Sequence, residues 1–244
     1  MAKAGSEYGS QLLWVLALSC FFSWALMEAY GRYAVVTGRT AVNSFKTELK
    51  FGKVWAIALI IGIVIGQWNS LSGIVGLSAN ALYEISRLFF PAFSPENYWA
   101  VLAIAVLILT ILYSLLIVGK YSFFEKVLIF FVTVMGIAFF ISMFTVLPES
   151  KDVIKGLVPT IPAGKGGKLL AAAFVGTTMA APTFIVRPLL VQGKGWGLKD
   201  TRRQAQDAFA SALLMLIISG SIMITAMGAM YYKGLTINRV IDMV

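Results

Sequence analysis

The chain has 244 residues, 59% of them hydrophobic and only 13% charged, against roughly 25% charged in soluble domains. With a mean hydropathy of +0.84 and apolar stretches of about 20 residues recurring along the whole length, it excludes a soluble enzyme with one removable leader and points to an integral membrane protein. Histidine is absent and the single cysteine, Cys20, sits in an apolar run, which removes a His/Cys zinc site and a disulfide framework and leaves Cys20 a packing role; the net charge of +9 bears on orientation in a bilayer, not on nucleic acid.

Six spans are predicted in chain order: about 11–30, 54–82, 98–118, 127–147, 169–192 and 208–232. None shows the alternation of a barrel strand, so the fold class is all-α, a polytopic membrane helix bundle in a single transmembrane domain. Near the end of the first span, Glu28 and Arg32 stand four residues apart and are expected to pair on one helix face. The second span contains "GIVIG" at 62–66, a small-xxx-small spacing that predicts close helix packing, followed by "GQWNSLSG" at 66–73. Its polar residues Gln67, Asn69, Ser70 and Ser72 cannot all face lipid, and are expected to line an interior pathway or bond to neighbouring helices.

Arg32, Arg39, Lys46, Lys50 and Lys53 follow the first span, Lys120 and Lys126 separate the third from the fourth, and Arg187, Lys194, Lys199, Arg202 and Arg203 lie at or after the fifth. The opposite side holds Lys3, Arg87, Lys151, Lys155, Lys165, Lys168, Lys233 and Arg239. The bias places the first group in the cytoplasm. Both chain ends then lie outside the cell, with nothing to carry the first across and a loop-like "YYKGLTINRVIDMV" at the last. The expectation is an internal piece of a longer transporter-like protein.

The fifth span is the unusual one. "GTTMAAPTFIVRP", residues 176–188, puts a glycine, paired threonines, two prolines and an arginine inside an apolar helix. A proline lacks the N–H that the carbonyl four residues earlier needs, and in lipid a freed carbonyl must find protein or a water-filled cavity. Pro182 therefore predicts a break around Gly176, Ala181 and Pro182, with the Thr177 and Thr178 carbonyls losing helical partners. The alternatives are a proline kink closed by threonine side chains and a midplane binding site built on a discontinuous helix. Arg187 is a candidate to line the pathway, or to snorkel to the cytoplasmic interface that Lys194 marks.

"AGSEYGSQLLWVLALS" at 4–19 and "VTGR" at 36–39 resemble the end of the first core helix and the second helix of Nramp-type divalent-metal transporters. The span order agrees with that family's helices two to seven. The fifth span falls at the family's sixth helix, whose Met-Pro-His-Asn signature aligns, from Gly176, on Ala180, Ala181, Pro182 and Thr183. The resemblance implies a leucine-transporter-like fold of inverted repeats, truncated here at both ends, with an ion held between two broken helices. It implies a metal site at the Thr177 carbonyl, Ala180 and Thr183, with a divalent metal ion as substrate, no cofactor, no enzymatic activity, and residence in the lipid bilayer of a bacterial cytoplasmic membrane.

The departures sharpen that expectation. Where the family's methionine offers a soft thioether, Ala180 offers no ligand and leaves room for water, which suits a hard cation that keeps part of its hydration shell. The acidic Asp-Leu-Ala-Glu positions of the family's third helix align on Ser70 and Gly73, and the histidine at the Arg187 position is missing, so a proton relay is not expected. The pattern resembles the Nramp-related magnesium transporters: Mg²⁺, with Mn²⁺, entering by alternating access without proton coupling. A proton-coupled manganese or iron carrier is one alternative, and an amino-acid carrier of the same fold is another. The family's metal-binding Asp-Pro-Gly-Asn motif precedes the point where this sequence begins, so the piece alone is expected to be inactive.

Overall fold

A computed structural model describes residues 1–89, 97–118, 121–146, 148, 150–162 and 165–237. The expected fourth-span terminus, Leu147, and the basic residues Lys120 and Arg239 lie outside them. Ten α-helices are described: α1 (Ala2–Tyr8), α2 (Leu13–Thr37), α3 (Ala41–Glu48), α4 (Gly52–Phe89), α5 (Tyr98–Val118), α6 (Tyr121–Thr145), α7 (Ser150–Lys155), α8 (Lys165–Thr178), α9 (Ala181–Gly193) and α10 (Thr201–Ala229). Six segments among the described residues are long and apolar enough to cross a bilayer, with α8 and α9 together making one of them. The chain is an all-α polytopic membrane protein.

Local chemistry sets the helix ends. The chain turns between α1 and α2 at Gly9, whose φ of 59° lies in the left-handed region and whose Cα faces the Tyr231 ring, so a side chain there would be strained and crowded. Gly38, at φ 66°, closes α2 in the left-handed conformation, with its N–H on the Ala34 carbonyl. Thr40 then caps α3 by accepting the Asn43 N–H at 3.3 Å. α4, with 38 residues, is about 57 Å long, well beyond a hydrocarbon core of ~30 Å.

The residues fall into two compact units. In the first, residues 1–65 and 139–235, α2 is the central helix and packs against α8, α9 and α10, while α1 lies on α10. Three apolar clusters hold it. Leu12, just before α2, with Leu16 and Cys20 of α2, meets Phe174 of α8 and Met223 of α10; Met27 meets Phe184, Ala208 and Ala212; Ala34 and Val35 meet Val191. Cys20 is thus a packing residue, as expected. Glu28 and Arg32 pair at 2.7 Å along α2, also as expected.

The segment between α6 and α8 is bonded onto the start of α2. The Trp14 N–H donates to the Gly156 carbonyl at 3.0 Å and its indole N–H to the Thr160 carbonyl at 2.8 Å. The Ser10 hydroxyl donates to the Asp152 carbonyl at 2.6 Å. Tyr232, after α10, donates its hydroxyl to the Asp152 carboxylate at 2.9 Å; this bond, aided by Lys155, holds that carboxyl below the usual aspartate range.

In the second unit, residues 66–138 and 236–244, the described helices are exposed along most of their length, with Ala79 and Tyr83 of α4 buried. At "GIVIG", where the first unit ends and the second begins, the expected close packing is not seen among the described residues: a Cβ placed at Gly62 or Gly66 meets nothing within 4 Å. Flanking Ile61 and Ile65 are exposed like the glycines, so this face of α4 has no described neighbour to approach.

Candidate functional site

The fifth apolar segment is broken. α8 ends at Thr178, Met179 and Ala180 leave helical geometry, and α9 starts at Ala181 with Pro182 in its first turn. Ala180 caps α9 in an extended conformation, φ −66° and ψ 123°, and its carbonyl accepts the Thr183 N–H at 3.0 Å. Proline suits this place because the first N–H groups of a helix have no intrahelical acceptor.

The carbonyls left over by the break have different fates. Thr178 would be the acceptor for the N–H that Pro182 lacks. Ser23 of α2, 1% exposed, donates its hydroxyl to that carbonyl instead, at 3.0 Å. Sequence reasoning missed Ser23; a serine in an apolar helix was the only signal. At Thr177 no hydrogen bond to the carbonyl is found among the described residues, and the side-chain hydroxyl turns back to donate to the Ala173 carbonyl at 2.8 Å. The Thr178 hydroxyl is buried without a described partner.

Thr177 and Thr183 are exposed and Ala180 is half-buried, so the break presents a carbonyl, a methyl and a hydroxyl-bearing residue on one short stretch. Gly176 and Ala181 are exposed, and a Cβ at Gly176 would meet nothing within 4 Å. Beside the break lies a cavity of about 460 Å³ lined mainly by Trp14, Leu18, Phe22, Val175 and Met179. Its one hydroxyl, Ser19, is buried and donates to the Val15 carbonyl at 2.7 Å, and the rest of the lining is apolar. Among the described residues no three His, Cys, Asp or Glu side chains gather in one place. The groups described at the break itself are backbone carbonyls, the Thr177 and Thr183 hydroxyls and the Met179 thioether.

Arg187 departs from the snorkelling expectation. It is 6% exposed, and its guanidinium meets the Asp207 carboxylate of α10 at 2.7 Å and donates to the Gln204 carbonyl at 3.3 Å. A counter-charge inside the protein removes the reason to reach the interface. Lys194 takes the other Asp207 oxygen at 3.4 Å. Gln67, Asn69 and Ser70 are exposed on the part of α4 that belongs to the second unit, and the Ser72 hydroxyl folds back on the Asn69 carbonyl at 2.9 Å.

Six bilayer-length segments, one of them unwound at a proline, define a polytopic helical membrane protein with a discontinuous span. A family model described as natural resistance-associated macrophage protein-like matches residues 1–244, and the chain belongs to the Nramp family. It is similar to a protein named divalent metal cation transporter MntH from Bacillus subtilis, 26% identical over 237 residues, which cover 95% of this chain and 53% of that protein. Proteins of the same name from Ralstonia nicotianae and Brucella suis biovar 1 are 24% and 25% identical, covering 95% of this chain and 52% and 50% of theirs. The chain spans about half the length of the curated relatives it matches.

Proposed function

We propose that the full protein to which this chain belongs carries divalent metal cations across a bacterial cytoplasmic membrane by alternating access, with Mg²⁺ as its main substrate and Mn²⁺ as a second. The observation that carries this reading is the break at Met179–Ala180, which leaves the Thr177 carbonyl without a described donor in a family whose curated relatives are named divalent metal cation transporters. In this proposal the Thr177 carbonyl is a ligand, Thr183 lines the site, and the Ala180 methyl leaves space for water that the ion retains. Gly176, Ala181 and Pro182 keep the segment unwound, and Gln67, Asn69 and Ser70 line the pathway.

Ligand hardness supports magnesium. In this reading Thr177 and Thr183 present oxygens, Ala180 presents no sulfur and the Met179 thioether stays among the apolar residues of the neighbouring cavity; Mg²⁺ binds oxygen and gives up its water reluctantly. The 244 residues contain no histidine, and the one buried arginine beside the break is held by a carboxylate, which supports transport without a proton relay.

The test uses the full-length protein in liposomes. Mg²⁺ influx is followed under an imposed membrane potential while a dye reports internal pH. Magnesium entry without acidification supports the reading; manganese entry accompanied by protons, with no magnesium entry, overturns it in favour of a proton-coupled manganese carrier. Ala180→Met should shift preference toward softer ions such as Mn²⁺ and Cd²⁺, and unchanged selectivity would remove Ala180 from the site.

A further inference from the structure

The face by which α9 is held is read from Phe184, Arg187, Pro188 and Val191, all buried and spaced three and four residues apart. Two of these contacts are apolar and tolerant of rotation: Phe184 against Met27, Ala208 and Ala212, and Val191 against Ala34 and Val35. Arg187 is different in kind. Its guanidinium is planar, permanently charged and directional, and its partners on α10 are the Asp207 carboxylate at 2.7 Å and the Gln204 carbonyl at 3.3 Å. Turning α9 by a fraction of a helical step costs little in apolar contact. It takes the guanidinium, whose side chain is 8% exposed, off its carboxylate with little water to replace it.

The platform is itself fixed. Gln204 is fully buried and donates its amide to the Met27 carbonyl of α2 at 3.2 Å. It passes over α2 at Gly31, where a Cβ would come within 1.9 Å of the Gln204 amide nitrogen. Gln204 and Asp207 are three residues apart and so share a face of α10. One chain of contacts thus runs from α2 through Gln204 to Arg187.

We propose that the Arg187–Asp207 pair, seated on Gln204, is a positioning element that sets the rotation of α9 and thereby the direction in which Thr183 and the Ala180 break face. Thr183 lies one helical turn before Arg187, on the adjoining row of side chains, so an error in rotation at Arg187 is carried directly to it. Neither Arg187 nor Asp207 touches the ion in this scheme; both act through α9. The inference rests on the proposed transport reading only in giving that direction a purpose.

The test places a reporter at the break in the full-length protein: Thr183→Cys in a background lacking other reactive cysteines, with its rate of modification by a charged thiol reagent measured in liposomes. Arg187→Met should change that rate by about tenfold, whereas Arg187→Lys, which keeps the charge, should stay within about twofold. In transport assays on the Thr183 protein, Arg187→Met should raise KM for Mg²⁺ more than it lowers kcat. An unchanged labelling rate in Arg187→Met, even with a lowered melting temperature, overturns the proposal and leaves the pair a purely structural contact. If Arg187→Met does not fold, Asp207→Glu displaces the carboxylate by one methylene and should shift labelling severalfold, with no shift again the overturning result. Labelling needs no transported ion. Failure of the magnesium reading appears as no Mg²⁺ entry in the unmodified protein, and failure of this inference as unchanged labelling.

Discussion

Ser23→Ala removes the one donor that, among the described residues, reaches the Thr178 carbonyl. The bond is 3.0 Å long and both residues are buried, so no water takes the place of the hydroxyl. An unsatisfied buried acceptor costs about 1–3 kcal/mol; with one neutral bond lost and only a small void created, the expected loss is ~1.5 kcal/mol. The carbonyl needs Ser23 only because residue 182 is proline. In a Pro182→Ala background the new N–H at 182 can take the Thr178 carbonyl within a continued helix, and Ser23→Ala should then cost ~0.5 kcal/mol or less. The four proteins of this cycle are compared by reversible unfolding in mixed detergent micelles, and a coupling of about 1 kcal/mol between the two sites is expected. Equal costs for Ser23→Ala in both backgrounds would refute the account of how the break is held.

Asp207→Asn should destabilise more than Arg187→Met, by about 2 kcal/mol in the same unfolding assay, because it strands a guanidinium whose side chain is 8% exposed, while Asp207 is 33% exposed and keeps Lys194; the reverse order would show that the pair is solvated. Gly31→Ala should cost about 1–3 kcal/mol, since Gln204 has no exposed position to retreat to, and Gln204→Ala should relieve most of that cost when the two are combined. Tyr232→Phe should raise the pKa of Asp152 toward its ordinary value, read by titration. The Asp152 carboxyl is depressed in the folded protein, so its contribution to stability is present above the ordinary aspartate pKa and fades as pH falls through the depressed value. The variant should lose most of that acid-side dependence, and an unaltered acid limb would exclude the tyrosine bond as its cause.

The broken span was legible because proline has a fixed consequence in a helix: a missing N–H at 182 orphans an acceptor at 178 wherever the chain lies. The Glu28–Arg32 pair was legible for a similar reason, since helix geometry alone brings residues four apart together. What the sequence hid is long-range. Nothing local told that Ser23, 155 residues away, would serve Thr178, or that Asp207 would meet Arg187, because both contacts depend on how α2, α9 and α10 pack. The snorkelling alternative for Arg187 fails for the same reason: the nearby Lys194 is visible in sequence, and the carboxylate on α10 is not. At "GIVIG" no described residue takes up the close packing, because a small-residue spacing permits close approach without supplying a partner.

The central place of α2 also has a consequence for biogenesis. Its partners in α8, α9 and α10 follow it by roughly 150 residues, as do the Gly156 and Thr160 carbonyls that Trp14 meets. At about 5–20 residues per second of synthesis, α2 waits on the order of 8–30 s in the membrane before they emerge. During that interval Ser19 bonds the Val15 carbonyl four residues back, and Ser23 has the same local option on the Ser19 carbonyl until Thr178 emerges. Non-local contacts of this kind slow folding, so the packing of α2 against α8, α9 and α10 is completed late, only after the whole stretch between them has been inserted.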